Sequence, residues 1–223
     1  QQWPPRSPRG PERRGREAWA RMAARSAAAP ETAQLRRLAL EAARRPEHGD
    51  FLGTEAYWQR PGPGPRAPVS GVLLLLHRTG RGAQDFFPCS AGVPSGRGLP
   101  EEAELVCTAV ARGWLAVAMS SADRGERKAW EPMVDGPCLA RALRELLSHE
   151  EMDEDATPLS VLGTASGGEM ALLFRQWWPQ PSLRAVVAQV SALPALQLEH
   201  LDHALLPPAA LFVHMPLRDP HTA

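Results

Sequence analysis

Apolar positions along the chain gather into short continuous runs, and between them lie stretches where apolar residues recur at helical spacing. Gly71 to His77 reads Gly-Val-Leu-Leu-Leu-Leu-His, an unbroken apolar run bounded by turn residues, as in a strand covered on both faces. Glu101 to Arg112 has helical spacing and follows Pro100, where a helix begins without needing the missing N–H. Trp114 to Ser120 is a second buried strand, and Cys138 to His149 a second helix with Leu139, Leu143, Leu146 and Leu147 in register. Leu159 to Gly163, Leu183 to Val190 and Ala209 to Met215 read as further strands, with a helix from Gly167 to Trp178 after the first of them. The βαβαβαβ order predicts an α/β fold built on a mostly parallel sheet flanked by helices.

Ahead of this region the pattern changes. Residues 1–50 are rich in Arg, Ala and Pro and set eleven Arg against six acids, a basic extension with one predicted helix over 31–45. Acids near its start and Arg44-Arg45 at its end suit the helix dipole. The breaker run Pro61-Gly62-Pro63-Gly64-Pro65 permits neither helix nor central strand. Residues 51–68 therefore read as a linker with a candidate first strand, and 69–223 as the core domain. Across all 223 residues, 25 basic side chains balance 25 acidic ones, so bulk charge calls for neither nucleic acid nor an anionic membrane. The apolar runs are strand-sized, far short of the ~20 residues of a membrane span. Cys89, Cys107 and Cys138 are too scattered for a disulfide framework or a Cys-x-x-Cys site, and the pair His200 and His203 lacks a third ligand at suitable spacing. No metal and no cofactor are expected. Gln1 stands where Met would, with no signal-peptide core behind it, an expectation that the natural N-terminus lies upstream and that targeting is not readable here.

Chemistry in a parallel sheet belongs at the carboxyl ends of the strands, and one turn there stands apart. Gly163-Thr164-Ala165-Ser166-Gly167-Gly168 passes from strand to helix through small residues, the setting of a nucleophile elbow. The nucleophile of such a turn occupies a strained conformation, and side chains two residues before and after it would collide. Two registers stay open. Gly-x-Ser-x-Gly counted from Gly163 puts Ala165 at the tip, with no atom able to attack a carbonyl. Shifted by one, Thr164 to Gly168 puts Ser166 at the tip, with the Gly167 N–H at the helix start facing a developing oxyanion. The turn after the first core strand, His77-Arg78-Thr79-Gly80, offers a second donor from the backbone of Arg78 or Thr79. Gly80-Arg81-Gly82 follows a strand too, but Asp85 stands where a third glycine would complete a nucleotide-binding turn.

From Val69 onward these residues resemble a group of plant and green-algal α/β-hydrolase superfamily proteins whose elbow has the form Gly-Ala-Ser-Ser-Gly-Gly. The shared landmarks are Gly71 to His77, Gly98-Leu99-Pro100-Glu101-Glu102, Ser120-Ser121-Ala122, the Gly163 to Gly168 turn, and Pro207-Pro208 leading to Leu211-Phe212-Val213-His214-Met215-Pro216. This chain departs from the group at Ala165, where the first elbow Ser belongs, and at Arg78, where a Gly commonly follows the strand-end His. The resemblance implies an α/β-hydrolase fold and a serine esterase acting on a small acyl ester, or else a hydrolase-like binding protein without catalysis. In the first case Ser166 attacks, Arg78 or Thr79 and Gly167 hold the oxyanion, and Asp219 stands where the superfamily often keeps its triad acid. The base normally follows one further strand and helix, so the resemblance places it beyond Ala223. No other histidine carries a motif for that role.

Overall fold

The computed structural model describes residues 46–62, 67–90, 93–193 and 205–213. The helix expected over 31–45, Asp219, and residues 214 and 215 of the last expected strand lie outside the described residues. Among the described residues seven strands form one sheet: β1 (Glu47–Phe51), β2 (Thr54–Gln59), β3 (Gly71–Leu76), β4 (Trp114–Met119), β5 (Leu159–Thr164), β6 (Leu183–Gln189) and β7 (Ala210–Val213), in the spatial order β1-β2-β4-β3-β5-β6-β7. β4, β3, β5, β6 and β7 run parallel, as the alternation of strand and helix predicts, and β1 and β2 join antiparallel at one edge.

Among the described residues three α-helices cover the sheet: α1 (Pro100–Ala111), α2 (Pro132–His149) and α3 (Ser166–Leu173). Pleating sends alternate side chains to opposite faces. Val72, Leu74 and Leu76 of β3 and Leu115, Val117 and Met119 of β4 pack with α2 and α3, through Leu139, Leu143 and Met170 among others. Leu75, Ala116 and Ala118 face the other way, onto Phe86, Val106 and Val110 under α1. Both faces are therefore dry, which is why the strands read as unbroken apolar runs. α1 starts on Pro100 with Glu101 and Glu102 in its first turn, where acids meet the positive end of the helix dipole.

Two elements differ from the sequence reading. β1 and β2 form a hairpin turning at Leu52 (φ 56°) and Gly53 (φ 84°), with the Gly53 N–H donating to Asp50 Oδ1 at 2.7 Å. The hairpin is tied to α2 by Glu150, whose buried carboxylate accepts from Trp58 Nε1 at 2.8 Å and pairs with Arg60. α2 begins at Pro132, ahead of the expected Cys138, and carries Pro137 inside it. Asp135 secures that early start: its carboxylate accepts the N–H of Glu131 and of Ala122, each at 2.7 Å. The buried Asp135 thus ties the first turn of α2 to the loop after β4, which fixes one wall of the site.

Candidate elbow site

The site forms where β3, β4 and β5 end side by side. β5 runs to Thr164 and α3 begins at Ser166, leaving Ala165 alone to make the turn, with φ 52° and ψ −119°. The tip of the elbow is therefore Ala165, one residue before Ser166. Its N–H donates to Gln189 O at 2.9 Å, and its carbonyl accepts from Gly168 N at 2.9 Å and Glu169 N at 3.2 Å, closing the bend into the first turn of α3. Non-glycine residues rarely hold a positive φ, and such conformations persist where the surroundings over-determine them.

Steric contact at the flanking glycines shows what over-determines this one. A Cβ on Gly163 would lie 1.9 Å from Gly167 O, and a Cβ on Gly167 would lie 2.6 Å from Leu76 O and from His77 O. Strand, turn and helix approach so closely that only hydrogen fits at two residues before and two after Ala165. Thr164 points its Oγ1 to Gln189 Oε1 at 3.0 Å instead, bonding across to β6.

The structure brings two of the sequence-selected residues together, Thr79 through its side chain rather than the backbone N–H expected of it. Thr79 Oγ1 donates to Ser166 Oγ at 3.0 Å, and the backbone N–H of Trp130 donates to the same oxygen at 3.3 Å. Thr79 and Arg78 are exposed in the turn after β3, whereas Gly167 is buried beneath the end of that strand. Asp219 lies outside the described residues. With Ala165 at the tip, the residue after the tip is Ser166, so the first backbone N–H of α3 aimed at the site is its own.

His77 closes the β3 strand, and its burial decides its part in the site. Nδ1–H donates to Arg78 O at 3.0 Å and Nε2 accepts from Ser121 N–H at 3.0 Å, which fixes a neutral tautomer with both nitrogens engaged. Burial pushes its pKa below the ordinary histidine range, against the opposing pull of the bond to Arg78 and of Asp85 and Asp135. The Trp130 ring lies 5.1 Å from the imidazole, and its Nε1 donates to His77 O at 2.9 Å. His77 is thus a structural post and holds no proton for Ser166. His48 and His149 stand beside Glu55 at 3.7 Å and Glu150 at 3.4 Å, and His200, His203, His214 and His221 lie outside the described residues.

Trp130 was not singled out by the sequence reading, although it binds Ser166 and His77 at once. The one available signal was a lone aromatic residue in the polar stretch 121–131. Among the described residues no group of three His, Cys, Asp or Glu side chains is placed to hold a metal ion, and no helix is long and apolar enough to cross a membrane.

A scan against protein-family models finds no match, and neither does a search of the curated proteins. Among solved structures the chain is similar to a monoglyceride lipase from Saccharomyces cerevisiae solved with a substrate analogue, at 15% identity and TM-score 0.44, over 69% of this chain and 47% of the lipase. It is similar also to a carboxyl esterase from Bacillus coagulans, at 10% identity and TM-score 0.45, over 66% of this chain and 44% of the esterase. A lidless α/β serine hydrolase from Xanthomonas campestris aligns at 11% identity and TM-score 0.45, over 76% of this chain and 70% of that one. The chain spans less than half the length of the lipase and of the esterase. Its own geometry is a mostly parallel sheet with a strained strand-to-helix turn at the carboxyl end of a central strand, and alanine stands at the tip of that turn.

Proposed function

We propose that this chain is a hydrolase-like binding protein that receives a small acyl compound at the elbow and does not turn it over. The observation that carries the reading is Ala165 at φ 52° and ψ −119°. Acyl transfer through an enzyme-bound ester needs a nucleophilic oxygen or sulfur at that tip and a base to take its proton. A methyl group supplies neither. The donors remain: the N–H groups opening α3 and those of the turn at Arg78 and Thr79 suit a carbonyl oxygen. The Ser166 hydroxyl accepts from Thr79 and Trp130, which leaves its proton for the ligand.

The second reading is hydrolysis of an acyl ester by Ser166, favoured by the convergence of Thr79 and Trp130 on its oxygen. In that reading Gly167 and the turn at Arg78 and Thr79 hold the oxyanion, and Asp219 is the triad acid. Fluorophosphonate labelling separates the two. The native chain is expected to label no more than Ser166→Ala, while methyl butyrate quenches tryptophan fluorescence saturably, through Trp130 beside Ser166. Labelling of the native chain that disappears in Ser166→Ala refutes the non-catalytic reading, and absence of both labelling and quenching refutes ligand binding at the elbow.

A further inference from the structure

A cavity lies one strand over from the elbow, between the turn after β3 and the loop after β4. Its volume is 210 Å³ and its lining is mainly polar. That volume equals about seven liquid-water volumes and falls below the ~300 Å³ of the smallest drug-sized pockets, so its ligand has few heavy atoms.

Its walls are built rather than incidental. Gly80 N–H donates to Arg127 O at 2.6 Å, fastening the two loops to each other. On the floor, the buried Ser120 donates from Oγ to Glu55 Oε2 at 2.9 Å and accepts the Ala83 N–H at 3.0 Å. His77 and Ser121, already bonded to each other, complete it.

Charge around the opening is unevenly spent. Arg81, Arg124 and Lys128 line the cavity together with Glu55 and Asp123. Glu55 accepts from the Tyr57 hydroxyl and Ser120 and pairs with Arg124 at 3.3 Å. Asp123 is taken up by the N–H groups of Gly125 at 2.9 Å and Ala129 at 3.3 Å. Both carboxylates thus accept hydrogen bonds from the wall, Asp123 while exposed to solvent. Among the described residues, the Arg81 guanidinium and the Lys128 ammonium pair with no carboxylate, although the Lys128 backbone N–H bonds Asp123. The Gln84 amide, folded over Gly82 at the same opening, adds neutral hydrogen-bonding capacity.

We infer that this cavity binds a small phosphomonoester, with the dianion between Arg81 and Lys128. A guanidinium matches two phosphate oxygens at once and an ammonium supplies a point charge, so the pair neutralises a doubly charged group. The cavity has room for a short polar tail beyond the phosphate. This inference is independent of whether the elbow is catalytic, because none of its residues is Ala165 or Ser166, and its test reads binding alone.

The test is isothermal titration of the full chain at low salt with inorganic phosphate, with glycerol 3-phosphate, and with succinate as a carboxylate dianion. Saturable binding is expected for both phosphates, tighter for glycerol 3-phosphate and about tenfold weaker for succinate. Losing one charged hydrogen-bonding partner corresponds to about tenfold in affinity, so Arg81→Gln and Lys128→Gln are each expected to weaken binding by about that factor. Arg184→Gln, an exposed cation on β6, is expected to leave it unchanged. Urea unfolding checks that each variant folds, and either of the two cavity variants suffices if the other does not. Absence of saturable binding at millimolar phosphate overturns the inference. So does equal loss in Arg184→Gln, no loss in a folded Arg81→Gln or Lys128→Gln, or tighter binding of succinate than of phosphate.

Discussion

Replacing Ala165 by Gly is expected to stabilise the protein, an unusual direction for a substitution that deletes a methyl group. Ala165 holds φ 52° and ψ −119°, and a non-glycine residue in such a sparsely populated region costs about 1–3 kcal/mol. Glycine relieves that strain and brings two costs. Greater freedom of the unfolded chain takes back about 0.4–1 kcal/mol, and loss of a half-buried methyl takes about 0.4 kcal/mol, half of the ~0.8 kcal/mol for a fully buried one. The balance is a gain of about 1 kcal/mol, or about 2–4 °C in Tm for a chain of this size. Urea unfolding monitored by tryptophan fluorescence should show a higher midpoint with an unchanged slope, because the surface exposed on unfolding is the same. Ala165→Ser is the control: it keeps the strained Cβ and should show no such gain. A midpoint for Ala165→Gly equal to or below that of the native chain would mean that the turn is relaxed, and the steric account of the elbow would fall with it.

Two further substitutions examine the same corner of the fold. Gly167→Ala places a Cβ 2.6 Å from the carbonyl oxygens of Leu76 and His77; these are backbone atoms of the central strand that cannot swing aside, so a loss of about 3 kcal/mol, the upper end for overpacking, is expected in the same urea assay. His77 carries a pH signature, because burial lowers its folded pKa beneath the ~6.5 of an unfolded histidine. Its contribution is complete above about pH 6.5 and is lost as pH falls from there through the lower folded value, since in that window the unfolded chain binds a proton that the native state refuses. Unfolding midpoints measured from about pH 7.5 down to 5.5 should therefore fall less steeply for His77→Gln than for the native chain, and parallel slopes would show that His77 titrates normally.

What the sequence disclosed follows from which faces each element buries. β3, β4 and β5 are buried along most of their length and stand out as apolar runs, so their succession along the chain and parallel direction could be read directly. The β1–β2 hairpin was hidden because its turn places Leu52 at a positive φ ahead of Gly53, where Asn or Asp would have announced it. The start of α2 was hidden by Pro137, which removes one backbone donor inside the helix. The structure sets against this loss the two bonds that Asp135 accepts from Glu131 and Ala122, one of them reaching a loop that sequence spacing does not reveal.

The elbow had the right address and an undecided register, because chemistry and sterics pointed to different residues. Chemistry favoured Ser166, the only hydroxyl followed by glycines; sterics favour Ala165. The residue two places before the tip has its Cβ direction filled by the backbone two places after it, as the 1.9 Å from Gly163 to Gly167 O shows. With Ser166 at the tip, that crowded position would fall to Thr164, whose branched side chain is larger than the single carbon already excluded there. Of the two registers of the elbow, only the one centred on position 165 has Gly at both minus two and plus two. The glycine spacing therefore carried the register, and the serine, set on the first residue of α3 and held by Thr79 and Trp130, sits beside the tip as a hydrogen-bonding wall of the site.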